Sequence, residues 1–313
     1  MVSPEVYNVK QQFFLGAFKA LVDLPPPNPS SDDYTPILVY KARAHIALDD
    51  SKSVSTFVPA DTDSLSLKSV LSLSKYVSDE ADTALEELRD LCVEIEGDDV
   101  DASEREKGWV RVIAGTAFAR AGELEEALET LGAEASTENL EAVAVIIQIY
   151  LSIHRPDLAR KEFERAKHWA EDDLLLQLIE ASIGLVTGKD GYADSNSFYT
   201  EQLANPSLSS PHLLTARGVT RLLRGEIIEA KSDFEEAVAQ QGGKEDAETL
   251  AASVVAAGLG SAAKKGDAEA LWSRLVSEFP NHPLVTDVNT KAEEFDELTA
   301  KFEVPPLAIP TAA

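Results

Sequence analysis

Apolar residues along this chain return three and four positions apart, in runs of about ten to sixteen residues broken by Gly, Pro, Asp and Asn. VRVIAGTAFARAG (110–122), ELEEALETLG (123–132), LEAVAVIIQIYLSI (140–153) and LLLQLIEASIGLVTG (174–188) are four such runs. The spacing gives each segment one apolar stripe, as an amphipathic helix requires. Alternating apolar and polar runs, the mark of a half-buried strand, are almost absent. The pattern therefore predicts an all-α fold of short helices.

The helices carry a recurring motif. RPDLARKEFERA (155–166) places Ala159, Phe163 and Ala166 in a small–large–small order, and GEIIEAKSDFEEA (225–237) repeats it with Ala230, Phe234 and Ala237. GELEEALETL is a looser copy with Ala127 and Leu131. With one small or apolar anchor per helix pair, the anchors are Leu21, Val54, Leu88, Ala127, Ala159, Ser195, Ala230 and Leu271. The steps 127 to 159, 159 to 195 and 195 to 230 are 32, 36 and 35 residues. They scatter around the period of about 34 residues of a tetratricopeptide repeat. In such an array the second helix of each pair approaches the first so closely that the anchor has room for little more than a methyl group. The large residue one turn on is expected to fill the gap towards the next repeat. Phe118 and Tyr150 stand where the pattern wants an aromatic residue on the first helix, and Gly122 and Gly225 stand at the turn between helices. The expected architecture is a tetratricopeptide-like α-solenoid over residues 1–285, closed by a C-terminal capping helix over 286–303 and followed by a flexible tail at 304–313. The prolines between 25 and 36 read as an exposed connection, and the acidic stretch EGDDVDASEREKG (96–108) as a division of the solenoid.

Charge narrows the function. The 313 residues carry 55 acidic and 28 basic side chains, a net charge of −27. Such a surface repels phosphate backbones and anionic lipid headgroups. It leaves solubility or a basic partner surface as its uses. The single cysteine, Cys92, excludes an intrachain disulfide and a cysteine-built zinc site. MVSPEVYNVKQQFFLG lacks the basic start and long apolar run of a secretory signal, and VAVIIQIYL (143–151) is too short to span a bilayer. These features predict a cytosolic protein that reaches membranes only through a partner.

Three stretches then carry a family resemblance: DLARKEFERA in the middle, NVKQQFFLGAFKALV at the start, with Gly16 and Phe18 at its turn, and NHPLVTDVNTKAEEFDEL at the end, with His282-Pro283 and Phe295-Asp296. In these, and in overall layout from about Val6 to Leu298, the chain resembles the epsilon subunit of coatomer, the coat complex of Golgi transport vesicles. The likeness is weakest over 59–108 and 191–205. It implies a curled tetratricopeptide solenoid with a helical C-terminal end, a non-enzymatic coat subunit without cofactors. It also implies a partner, the C-terminal region of the coatomer alpha subunit, gripped by the solenoid, and a location on Golgi and vesicle membranes through the coat.

Motifs that suggest catalysis or ion binding do not hold up. GLGSAAKKGD (258–267) has a G-x-G-x-x-A string, but the preceding AETLAASVVAA reads as helix, whereas a dinucleotide turn follows a strand. Counted from Asp99, the acidic stretch places Glu104 and Val110 where a calcium loop needs Gly and Glu. His45, His154, His168, His212 and His282 contain no pair spaced as ligands on one helix face. What remains is a groove lined by the first helix of each pair. Inward-facing positions counted from the anchors are Phe13 and Phe14; Trp109 and Arg120, with Thr116; Gln148, with Leu151; and His212, Val219 and Leu222. Aromatic and apolar groove residues suit a buried partner segment. A peptide-tail adaptor of the co-chaperone kind is the rival reading. It needs cations in the groove to hold a terminal carboxylate, and few besides Arg43 and Arg120 are on offer.

Overall fold

The computed structural model describes residues 3–302, apart from 79, 98, 99, 101, 134, 136, 189, 244 and 261–264. Among them lie seventeen α-helices and no strand. Sixteen helices pack as consecutive pairs. The first four pairs are α1 (Pro4–Phe14) with α2 (Phe18–Val22), α3 (Tyr34–Ala47) with α4 (Ser51–Phe57), α5 (Leu65–Val77) with α6 (Ala81–Glu94), and α7 (Glu104–Ala121) with α8 (Leu124–Thr130). The next four are α9 (Leu140–Ser152) with α10 (Pro156–Lys167), α11 (Leu174–Thr187) with α12 (Asp190–Leu203), α13 (Pro211–Leu223) with α14 (Ile227–Gln240), and α15 (Ala247–Gly258) with α16 (Lys265–Glu278). A single helix, α17 (Pro283–Thr299), follows.

The eight anchors fall one on each even-numbered helix. The first seven are buried; Leu271 is only half-buried, and Leu275, one turn on, takes the buried place in α16. Local chemistry sets the helix ends. Side chains of Ser3, Ser103, Asn139, Asp173, Ser210 and Asp246 accept hydrogen bonds from otherwise unpaired backbone N–H groups at six helix starts. Gly122 ends α7 at φ +85°, the left-handed conformation that lets the chain reverse into α8.

The large residues of the motif also pack within their own pair, which the expectation did not include. A Cβ placed on Gly115 would lie 2.5 Å from Cγ of Leu131, and one on Gly218 would lie 2.4 Å from Cε1 of Phe234. Leu131 and Phe234 thus fill the space left by a glycine on the first helix of their own pair. Towards the following repeat, Phe163 clusters with Leu175, Leu176 and Ile179, and Phe234 with Ala252 and Ala256, as expected. Among the described residues, the packing continues past the acidic stretch. One buried core runs from Val6 to Ile149, and α5 packs directly on α7 across it. The proline-rich connection also ends sooner, because Pro36 lies buried in the first turn of α3, where its missing N–H costs nothing.

The first helices of the pairs lie side by side from α3 to α11 and again from α13 to α15. Between α11 and α13 the row loosens, and the turn between α1 and α2 enters the space. Leu15, with no exposed surface, clusters there with Ala181, Tyr199 and Leu213. Ser210 Oγ donates to the Leu15 carbonyl at 2.6 Å, and Lys19 Nζ donates to the Gln240 carbonyl at 3.3 Å. The array therefore curls until its first pair meets its seventh. The C-terminal helix departs from its expected role. It starts at Pro283 and touches the last pair through Leu284 and Val285, but every residue from Thr286 to Phe302 is exposed, so only its first turn caps the solenoid. The expected tail at 304–313 lies outside the described residues.

Candidate partner-binding interface

Four of the residues expected in the groove, Phe13, Phe14, Arg43 and Trp109, converge on one cluster. Phe13 packs against Phe18 and Tyr40 at ring separations of 5.6 and 5.4 Å. Phe14 meets Tyr40 edge-on at 6.2 Å, and Trp109 meets the same ring at 6.2 Å. The Arg43 guanidinium lies 4.4 Å from the Phe13 ring centre and is held by Glu141 Oε2 at 2.7 Å. Tyr40 Oη donates to the other oxygen of Glu141. Helices α1, α3, α7 and α9 are joined through these contacts.

The electrostatics of the cluster follow from burial. Burial pushes the Glu141 carboxyl up, but the Arg43 charge and the hydrogen bonds from Arg43 and Tyr40 outweigh it and hold the group below the usual carboxylate range. Burial first, and the Glu141 charge second, push the Tyr40 hydroxyl well above the ordinary tyrosine value. Glu141 is thus ionised and Tyr40 neutral near pH 7. Arg43 is spent inside the chain and is not a free cation for a peptide carboxylate.

Phe13 and Phe14 remain half-buried, and Trp109 is 7% exposed. Much of the surface expected to meet a partner is covered by the chain's own N-terminal pair. Arg120 and Gln148 are exposed, while Thr116 and Leu151 are half-buried. His212 sits over the α1–α2 turn: Gly16 has φ +72°, and a Cβ there would lie 2.6 Å from Cβ of His212. His212 is exposed as a residue, while desolvation by the surrounding protein pushes its pKa below the ordinary histidine value, against the pull of Asp246 and Glu248. Val219 and Leu222 pack on Ala230, Phe234, Ala252 and Ala256. Next to them Asp233, with 3% of its side chain exposed, pairs with Arg217 at 2.7 Å and Arg221 at 2.7 Å.

Inward counting missed Tyr40, Glu141, Leu15 and Ser210. Tyr40 and Glu141 stand 101 residues apart, and Leu15 and Ser210 stand 195 apart, and nothing local marks either pair. The remaining open positions, Arg120, Gln148 and His212, suit contact with a protein segment. Among the described residues no group of three or more His, Cys, Asp and Glu side chains is arranged to hold a metal ion. No described helix is long and apolar enough to cross a membrane.

Curled helix pairs with buried small anchors define a tetratricopeptide solenoid. The same fold occurs in the crystal structure of a tetratricopeptide repeat protein from Parabacteroides merdae, which matches over 81% of this chain and 96% of its own length with a TM-score of 0.55 and 14% identity. Sequence comparison narrows the class further. The family model of the coatomer epsilon subunit matches residues 2–303. A probable coatomer subunit epsilon of Schizosaccharomyces pombe is 28% identical, covering 96% of each chain. Coatomer subunit epsilon-1 of Arabidopsis thaliana is 25% identical over 96% of this chain and 99% of its own, and coatomer subunit epsilon of Caenorhabditis elegans is 24% identical over 96% and 99%. The chain belongs to the coatomer epsilon subunit family and is a subunit of the COPI vesicle coat.

Proposed function

We propose that this chain is a non-enzymatic scaffold that binds and stabilises the C-terminal region of the coatomer alpha subunit. It would act in Golgi-to-ER and intra-Golgi transport, in the cytoplasm and on Golgi and vesicle membranes through the coat. The observation that carries the reading is the family match over residues 2–303, on a fold made for holding another chain. The exposed inward positions Arg120, Gln148 and His212 are the contact candidates on this surface. Phe13, Phe14, Arg43, Trp109, Val219 and Leu222 support it from behind and contribute to binding by keeping its shape.

The test is to mix the purified chain with that alpha-subunit region and follow binding by calorimetry and size-exclusion chromatography. A one-to-one complex with a negative heat-capacity change is expected, because apolar surface is buried on binding. No complex at micromolar concentration, with both proteins folded, rejects the reading.

A further inference from the structure

Helix α17 carries apolar side chains that nothing among the described residues covers. Val288, Phe295, Leu298 and Phe302 are 40%, 66%, 53% and 73% exposed. Their spacings of seven, three and four residues place them within an arc of about 80° when the helical rotation is carried through to Phe302. Lys291 falls inside this arc, its ammonium pairing at the edge with Asp287 at 2.5 Å, and Ala292 lies about 40° beyond the other edge. Carboxylates border the stripe on both sides: Asp296 on one, Asp287 and Glu294 on the other. From Thr286 to Thr299 the helix stands free for about 20 Å. An isolated helix of this length is marginal in water, so its apolar stripe is a docking face waiting for a surface.

We propose that α17 is an interaction helix that lays this stripe into an apolar groove, rimmed by lysine and arginine, on another subunit of the coat. The inference rests on membership of the coat and is independent of what the curled face of the solenoid binds. Charge selects the occupant. A second copy of this chain brings another −27 and the same acidic borders, so stripe-to-stripe pairing sets carboxylates against carboxylates. A cationic rim instead meets Asp287, Glu294 and Asp296 while the groove takes Phe295 and Leu298. This is the helix-in-groove mode, with anchors one and two turns apart.

The test uses the full chain within the assembled coat. A photo-crosslinking phenylalanine analogue placed at position 295 is expected to join a different coat subunit, in a segment where lysine or arginine flanks apolar residues. Crosslinks confined to residues 303–313 of this chain, to a second copy of it, or absent altogether overturn the proposal. In parallel, the Phe295→Gln, Leu298→Gln double variant is expected to dissociate from the coat about tenfold faster or more. Its helix content and melting temperature as a free chain should not change, because both side chains already stand in water. Unchanged dissociation overturns the proposal, as does equal loss in Ile228→Gln, a control at an exposed site on α14. Replacing Asp287, Glu294 and Asp296 by their amides is expected to slow association and flatten its salt dependence. An unaltered salt dependence rejects the cationic rim.

Discussion

Gly16→Ala tests whether the curl of the solenoid is locked by its N-terminal pair. Gly16 adopts φ +72°, a left-handed conformation that costs an alanine about 1–2 kcal/mol. The new methyl would also lie 2.6 Å from Cβ of His212, an atom fixed to the backbone of α13 that cannot swing aside. Forcing the two apart adds an overpacking cost of about 1–3 kcal/mol. The expected loss is therefore roughly 2–5 kcal/mol. Gly122→Ala is the matched control, since Gly122 has φ +85° and no atom within 4 Å of an added Cβ. It carries the conformational cost alone, and the entropy an alanine removes from the unfolded chain is the same at both sites and cancels in the difference. Urea unfolding followed by circular dichroism measures the comparison, and hydrogen exchange on α13 locates it. Gly16→Ala should lower stability by about 1–3 kcal/mol more than Gly122→Ala and should expose the Leu213 and Leu214 amides. Equal losses in the two variants, with α13 still protected, would refute the closure argument.

Three further outcomes are expected. Asp233→Ala should cost about 3–5 kcal/mol in urea unfolding, because it strands the guanidinium groups of Arg217 and Arg221 beside a buried site. Glu141 has a folded pKa below its unfolded value of about 4.3. The stability it contributes is therefore present above that pH and is lost as pH falls towards the folded pKa. Acid titration of unfolding should fall less steeply in Glu141→Gln than in the wild type below about pH 4.3, and identical slopes would remove Glu141 from the account. Ala159→Leu and Ala230→Leu should each cost about 1–3 kcal/mol by thermal or urea unfolding, whereas exposed Ala204→Leu should be nearly neutral.

The repeat register was legible because it is local. Ala127, Ala159, Ser195 and Ala230 recur at steps of 32, 36 and 35 residues, and each lies buried where its helix meets the first of the pair. Inward facing was legible as well: Phe13, Phe14, Arg43 and Trp109 come from three separate pairs yet meet around Tyr40. What they face was not legible. Helical periodicity says which side of a helix is apolar, but not whether another protein or the chain's own first pair will cover it. Leu15 meets Leu213 only because the curl brings the ends of a long array together, and no spacing within one repeat encodes that curl. The C-terminal helix shows the same limit. Its stripe resembles that of a core helix, and only the structure shows it standing in solvent beyond Val285.

The bond between Ser210 and Leu15 also bears on how the chain is made. The α1–α2 pair leaves the ribosome before α13, and its resting place on α13 is encoded 195 residues later. At about 5–20 residues per second that interval is roughly 10–40 seconds. Throughout it Phe14 and Leu15 have only the early helices for company. The ring of contacts can close only after α13 has emerged, so the last tertiary contact made by the first helix waits on late synthesis. A nascent chain arrested before residue 210 should hold its α3–α9 core yet offer the α1–α2 turn to protease, and release of a longer chain should protect that turn in a single late step.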